Sequence, residues 1–143
     1  MKAIDYLKQL KKLDMMISNK LIEVEQWKAI ASGTTAQMGG DRVQTSSSQQ
    51  KMADAVCRYI DLEHDINRSI DRLVNKRKEI IGVIEQLNAV EYDVLHRHYV
   101  QYQDLREIAD AYSRSYSWAT SVHGTALVNV GKVLDEREVV NES

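Results

Sequence analysis

From Met52 to Leu87 the positions 52, 56, 59, 63, 66, 70, 73, 77, 80, 84 and 87 advance by alternate steps of four and three. Nine of the eleven are Met52, Val56, Tyr59, Ile66, Ile70, Leu73, Ile80, Ile84 and Leu87. A repeat averaging three and a half residues keeps one apolar stripe on one side of an α-helix and is the spacing of a coiled coil; a strand alternates every second residue instead. Ser46 with Gln49 and Ser47 with Gln50 form overlapping capping boxes that open the run. A helix over 48–88 is roughly 60 Å long at the α-helical rise. Glu63 and Arg77 take the remaining two seam positions, where polar groups partner one another or select register.

Such a stripe needs a partner, because alone it leaves hundreds of Å² of hydrocarbon in water. Ile4, Leu7, Leu10, Leu13, Ile17, Leu21, Val24 and Ala31 recur at three and four and predict a helix from about Lys2 to Ala31, roughly 45 Å long. Between the two, residues 32–47 carry Gly33, Gly39 and Gly40 among clustered Ser and Thr, the composition of a flexible connector. The expectation is an antiparallel coiled-coil hairpin over 1–88. Its second stripe outruns the first, so Ile66, Ile70, Leu73, Ile80, Ile84 and Leu87 are the candidate partner or dimer interface, and a homodimer is expected.

Composition agrees with an all-α fold. Pro and Phe are absent and no Gly falls between Asp41 and Ile81, so nothing breaks long helices there. With 143 residues, 43% hydrophobic and 28% charged, a sizeable core is possible, and the net charge of −2 gives no global pull toward nucleic acid. The one cysteine, Cys57, excludes an internal disulfide and a multi-cysteine zinc site. No apolar run is long enough for a membrane span or a signal peptide, so the chain is expected in the cytoplasm without membrane contact.

The C-terminal part changes character. Asn88 with Glu91 restarts a helix, and Tyr92, Leu95, Tyr99 and Tyr102 place an aromatic core stripe on a packing helix over 91–102. Asp104 with Glu107 forms another capping box, followed by Leu105, Ile108, Ala109 and Tyr112 at helical spacing. Ser113 and Ser115 offer oxygens to the amides of a further helix from about Tyr116 to Val130, with Ala119, Val122, Ala126, Leu127 and Val130 facing inward. Two short helices around a tight turn, with small Ala109 allowing close crossing, make a helix-turn-helix module over 89–134. The acidic tail 135–143 is expected to fray.

The run from Leu95 through Tyr99, Leu105-Arg106-Glu107-Ile108-Ala109, Ser115 and Ala126-Leu127 resembles the promoter-reading fourth region of bacterial sigma factors over roughly a quarter of the chain. With the upstream GDRVQTSSSQQKMADAV and its flanking long helices, the whole chain is similar to small phage and prophage regulators of Gram-positive bacteria, related to RinA-type late-gene activators. The resemblance implies a transcription regulator that binds double-stranded DNA through Arg114, Ser115, Tyr116, Ser117, Thr120, Ser121 and Thr125, with RNA polymerase as a further partner. Departures are evident: Tyr116, Ser117, Thr120, Ser121 and Thr125 are uncharged where sigma factors are rich in charged and amide side chains, and Ser113 replaces the usual turn glycine. From Asp104 onward four Lys or Arg stand against seven Asp or Glu, a poor balance for phosphate.

Other chemistry finds less support. His96 and His98 are two apart, about 200° around a helix, and cannot share a metal ion there. Convergent carboxylates and glycine-rich phosphate loops are missing from the pattern, so no enzyme, cofactor or metal is expected. Lys8, Lys11 and Lys12, and Arg72, Lys76, Arg77 and Lys78, read as solvated helix flanks that become phosphate contacts if DNA is bound tightly. Trp118 is expected to be partly packed. Two rivals remain open: a protein-interaction module whose helix-turn-helix has lost DNA, and a DNA-packaging component that forms rings.

Overall fold

The computed structural model describes residues 1–33 and 46–142. Among them are helices and turns and no strand, in agreement with the all-α expectation. α1 spans Ala3–Ala31, α2 Ser46–Ile84, α3 Ala89–Leu95, α4 Leu105–Ala111 and α5 Tyr116–Glu142; α3 runs on into a π-helical segment, His96–Val100. Gly33, at φ +74°, turns the chain out of α1, its amide donating to the Ile30 carbonyl at 3.0 Å. The expected connector 32–47 lies mostly outside the described residues.

The chain divides into two compact units, one of residues 14–72, the other of residues 1–13 with 73–143. In the first, Ile17 and Val24 of α1 and Ala55, Leu62 and Ile66 of α2 are buried. Lys20 Nζ donates to Ser69 Oγ at 3.3 Å, Lys28 pairs with Glu63 at 3.8 Å, and the Lys28 ammonium lies 5.6 Å from the centre of the Tyr59 ring. Contacts descend along α2 as they ascend along α1, so the helices run antiparallel here.

The seam itself is displaced from the sequence reading. Ala55, Tyr59, Leu62, Ile66 and Ser69 line it, again in steps of four and three. Glu63 is exposed and Ile70 is 41% exposed. On α1, Lys20 is half-buried while Leu21 is exposed. The cause is degeneracy: α2 carries apolar residues on two adjoining stripes, Val56-Ile60-Ile70 beside Ala55-Leu62-Ile66, and a four-three rhythm fits both. The side chains opposite decide which one is buried.

The second unit is built from both parts of its sequence. Tyr6, Leu7 and Leu10 of α1 pack with Ile80, Val83 and Ile84 of α2, Leu95, Tyr99 and Val100 after it, and Ala126 and Val130 of α5. Leu73 and Leu87 pack partly buried against this core, whereas Arg77 is exposed. The division expected near residue 88 therefore passes through a shared core. α5 also continues past Val130 to Glu142 where a frayed tail was expected, because Val133 and Leu134 cover the core and Arg137 Nη1 reaches the Tyr6 hydroxyl at 3.4 Å. That hydroxyl donates to Glu79 Oε2 at 2.7 Å; burial, then the Glu79 carboxylate, push the Tyr6 phenol up to about 12.

Candidate nucleic-acid interface

Three side-chain caps lay out the C-terminal helices. Asn88 Oδ1 accepts from the Glu91 amide at 2.9 Å to start α3, Asp104 Oδ1 accepts from the Glu107 amide at 2.8 Å to start α4, and Ser115 Oγ accepts from the Trp118 amide at 3.1 Å to start α5. Each was legible as a local motif. The π segment was not: the Gln101 amide donates to the His96 carbonyl at 3.0 Å, five residues back. After it Tyr102 takes φ 61° and is exposed, so it leaves the helix and the core stripe expected to include it.

The turn between α4 and α5 closes by two bonds. The Ser113 amide donates to the Asp110 carbonyl at 3.0 Å and the Arg114 amide to the Ala109 carbonyl at 2.9 Å, the Schellman pattern. Ser113 sits in its left-handed position at φ 54°, where glycine carries no steric cost. Ile108, Ala109 and Ala119 are buried in the pair of helices that this turn joins.

Of the residues expected to meet DNA, Arg114, Ser115, Tyr116, Ser117, Ser121 and Thr125 are exposed. Thr120 is half-buried, its hydroxyl donating to the Ser117 carbonyl at 2.9 Å. At 100° per residue, Ser117, Ser121, Gly124, Thr125 and Val128 share the outward face of α5, all exposed and uncharged. A shallow groove runs beside this face, lined by Asn88, Val90, Glu91, Ser121, Val122 and Thr125. Glu91 in its wall is buried and accepts from Asn129 Nδ2 at 2.8 Å.

Cations near the turn are stacked on aromatic rings. The Arg106 guanidinium lies 4.6 Å from the centre of the Tyr116 ring, Arg114 5.6 Å from Trp118, and Arg97 5.8 Å from Tyr112; Tyr112 and Trp118 pack 5.1 Å apart. Half-buried Trp118 thus covers Tyr112 and supports Arg114, the partial packing expected of it. Asp93 accepts from Arg97 Nε at 2.9 Å and from the Tyr112 hydroxyl. Burial alone would raise the Asp93 carboxyl, but the bonds from Tyr112 and Arg97 outweigh it and hold it below its ordinary value. Sequence reasoning passed over Asp93 and Arg97 as functional neighbours; their i, i+4 spacing was the available signal.

A second polar group lies behind α5. The Tyr99 hydroxyl is 2.6 Å from His123 Nε2, and the His98 ring meets the His123 ring edge-on at 5.3 Å. His98 Nδ1 faces the Gln103 carbonyl at 2.7 Å, while His96 Nδ1 is 2.8 Å from Gln101 Nε2. The two histidines of the HRH string are thus engaged separately. Among the described residues no three His, Cys, Asp or Glu side chains are placed to hold a metal ion, and no helix is long and apolar enough to cross a membrane. Comparison of the chain with known protein families, curated proteins and solved structures finds no match.

Proposed function

We propose that this chain is a phage-type transcription regulator in which α4, the turn at 112–115 and α5 act as a helix-turn-helix resembling sigma factor region four, with α5 lying in the major groove of double-stranded DNA. One observation carries the reading. The first turns of α5 are held from behind through buried Ala109 and Ala119, while Ser117, Ser121 and Thr125 stand in solvent. Hydroxyl and methyl groups of that size suit base edges and the thymine methyl, and Arg106 and Arg114, fixed on Tyr116 and Trp118, suit phosphates. α1 and α2 act as an antiparallel coiled-coil hairpin. Exposed Ile70 on α2 serves a homodimer or RNA polymerase contact. The protein works by placement in the bacterial cytoplasm and takes no cofactor.

One observation favours a second reading, a protein-interaction module that no longer reads DNA. From Ser117 to Val128 the outward face of α5 carries no charge and leaves Val128 60% exposed, whereas duplex affinity rests largely on cations. A mobility-shift series across salt, with phage late-promoter DNA against random DNA, decides between them. The DNA reading expects tighter binding to promoter DNA and loss of that preference in Thr120→Ala/Ser121→Ala. Equal, weak binding of both DNAs, with polymerase present, sinks it. A stoichiometric protein partner that co-purifies, with DNA binding untouched by the same double change, supports the second.

A further inference from the structure

Residues 116–131 of α5 hold no Lys or Arg, whereas the start of α1 carries several. Lys8 and Lys11, three residues apart and so on one side of the helix, border a concavity of about 190 Å³ whose other walls include His98, Tyr102, Gln103 and Asp104. Both lysines are exposed, and neither has an ion-pair partner among the described residues. The far wall is fixed. The Gln103 amide donates to the Arg97 carbonyl at 2.9 Å, which holds Tyr102 in its left-handed conformation at the mouth. Because the Gln103 carbonyl can only accept, His98 Nδ1 carries the proton of that 2.7 Å bond, which sets the orientation of the ring in the wall. The rim carboxylate, Asp104, is engaged at Oδ1 by the Glu107 amide. Two lysines and one carboxylate that is already hydrogen-bonded therefore border a space larger than a phosphodiester group.

We infer that Lys8 and Lys11, backed by His98 and Tyr102, seat a phosphate of duplex DNA, so that α1 supplies a backbone contact that residues 116–131 of α5 do not. This rests on the DNA-binding reading above. It assigns to the start of α1 a role in affinity that is independent of base sequence.

The test uses the full chain and a fluorescent mixed-sequence 30-base-pair duplex, with anisotropy titrations across salt. Wild type is compared with Lys8→Gln/Lys11→Gln and with Lys51→Gln/Arg58→Gln, which removes the same charge from exposed positions in the other compact unit. Circular dichroism checks that both variants stay folded. Losing two phosphate contacts lowers the log–log salt slope by about 1.8, so a fourfold rise in salt weakens binding about twelvefold less than in wild type. That change in the Lys8/Lys11 variant, with the control near wild type, is the expected result. Wild-type binding with equal slopes in all three proteins, or equal losses in both variants, overturns the phosphate seat and leaves the DNA reading standing. If wild type shows no salt-dependent duplex binding at all, both fall.

Discussion

The hydroxyl of Tyr99 and Nε2 of His123 share a hydrogen bond of 2.6 Å. Burial pushes the Tyr99 phenol up to about 12 and keeps it protonated. Burial lowers the His123 pKa from its ordinary 6.5, and the nearby charges of His98 and Lys8 lower it further. This bond fastens α5 to the segment before α4, and burial of the His123 ring works against its charging.

The sign of the pH dependence follows. Between the lowered folded value and 6.5, the unfolded chain binds the His123 proton and the folded chain does not, so acid favours unfolding. The contribution is fully present above pH 6.5 and declines as the pH falls below it. His123→Gln keeps an acceptor for Tyr99 and removes the titration. Urea midpoints at pH 7.5 and pH 5 should differ less in the variant than in wild type, and an identical difference would show that His123 does not couple to folding.

Ser113 pays for its left-handed backbone with a β-carbon clash that glycine avoids. Ser113→Gly should raise stability by up to about 1 kcal/mol, the strain relief being partly offset by the greater freedom of glycine in the unfolded chain. Ser113→Val, with a branched side chain at the same φ, should lower it. Denaturant unfolding of the pair checks both signs; equal stabilities would mean that the turn relaxes out of the left-handed region.

Ala109 is 2% exposed where α4 packs with α5. Ala109→Leu must displace one helix, at a cost of about 1–3 kcal/mol. If α5 reads DNA, duplex affinity should drop in the same variant while it remains folded by circular dichroism, whereas Ala111→Leu, at an exposed position on the same helix, should leave both nearly unchanged.

Lys20 and Ser69 place a polar pair in an apolar seam. Ser69→Ala alone should cost about 0.5–1.5 kcal/mol through the lost bond. Lys20→Leu with Ser69→Ala replaces both partners by apolar groups and should match or exceed wild-type stability. A double-mutant cycle in urea measures the coupling; additive losses would show that the contact contributes nothing.

What the sequence revealed and what it hid divide along the range of the interactions involved. The caps at Asn88, Asp104 and Ser115 were legible because each is a bond between residues three apart. The seam of α2 was not, since choosing Leu62 and Ser69 over Glu63 and Ile70 depends on α1 side chains far away in sequence. The end of α5 was missed for the same reason: 135–142 reads as an acidic tail until Arg137 meets Tyr6. Exposure of Ser117, Ser121 and Thr125 on one face of α5 follows helical periodicity, whereas Thr120, off that face, is half-buried. The nearness of Lys8 and Lys11 to His98 could come only from the folded chain.

That the core of one unit unites Tyr6, Leu7 and Leu10 with Ala126 and Val130 has a consequence for biosynthesis. These turns of α1 are made long before Ala126 and Val130, so the core is complete only after residues 116–142 have followed. Until then Tyr6, Leu7 and Leu10 have only the Ile80, Val83, Ile84, Leu95, Tyr99 and Val100 part of that core to pack against. Closure of this unit is a late, long-range event, slower than helix formation itself.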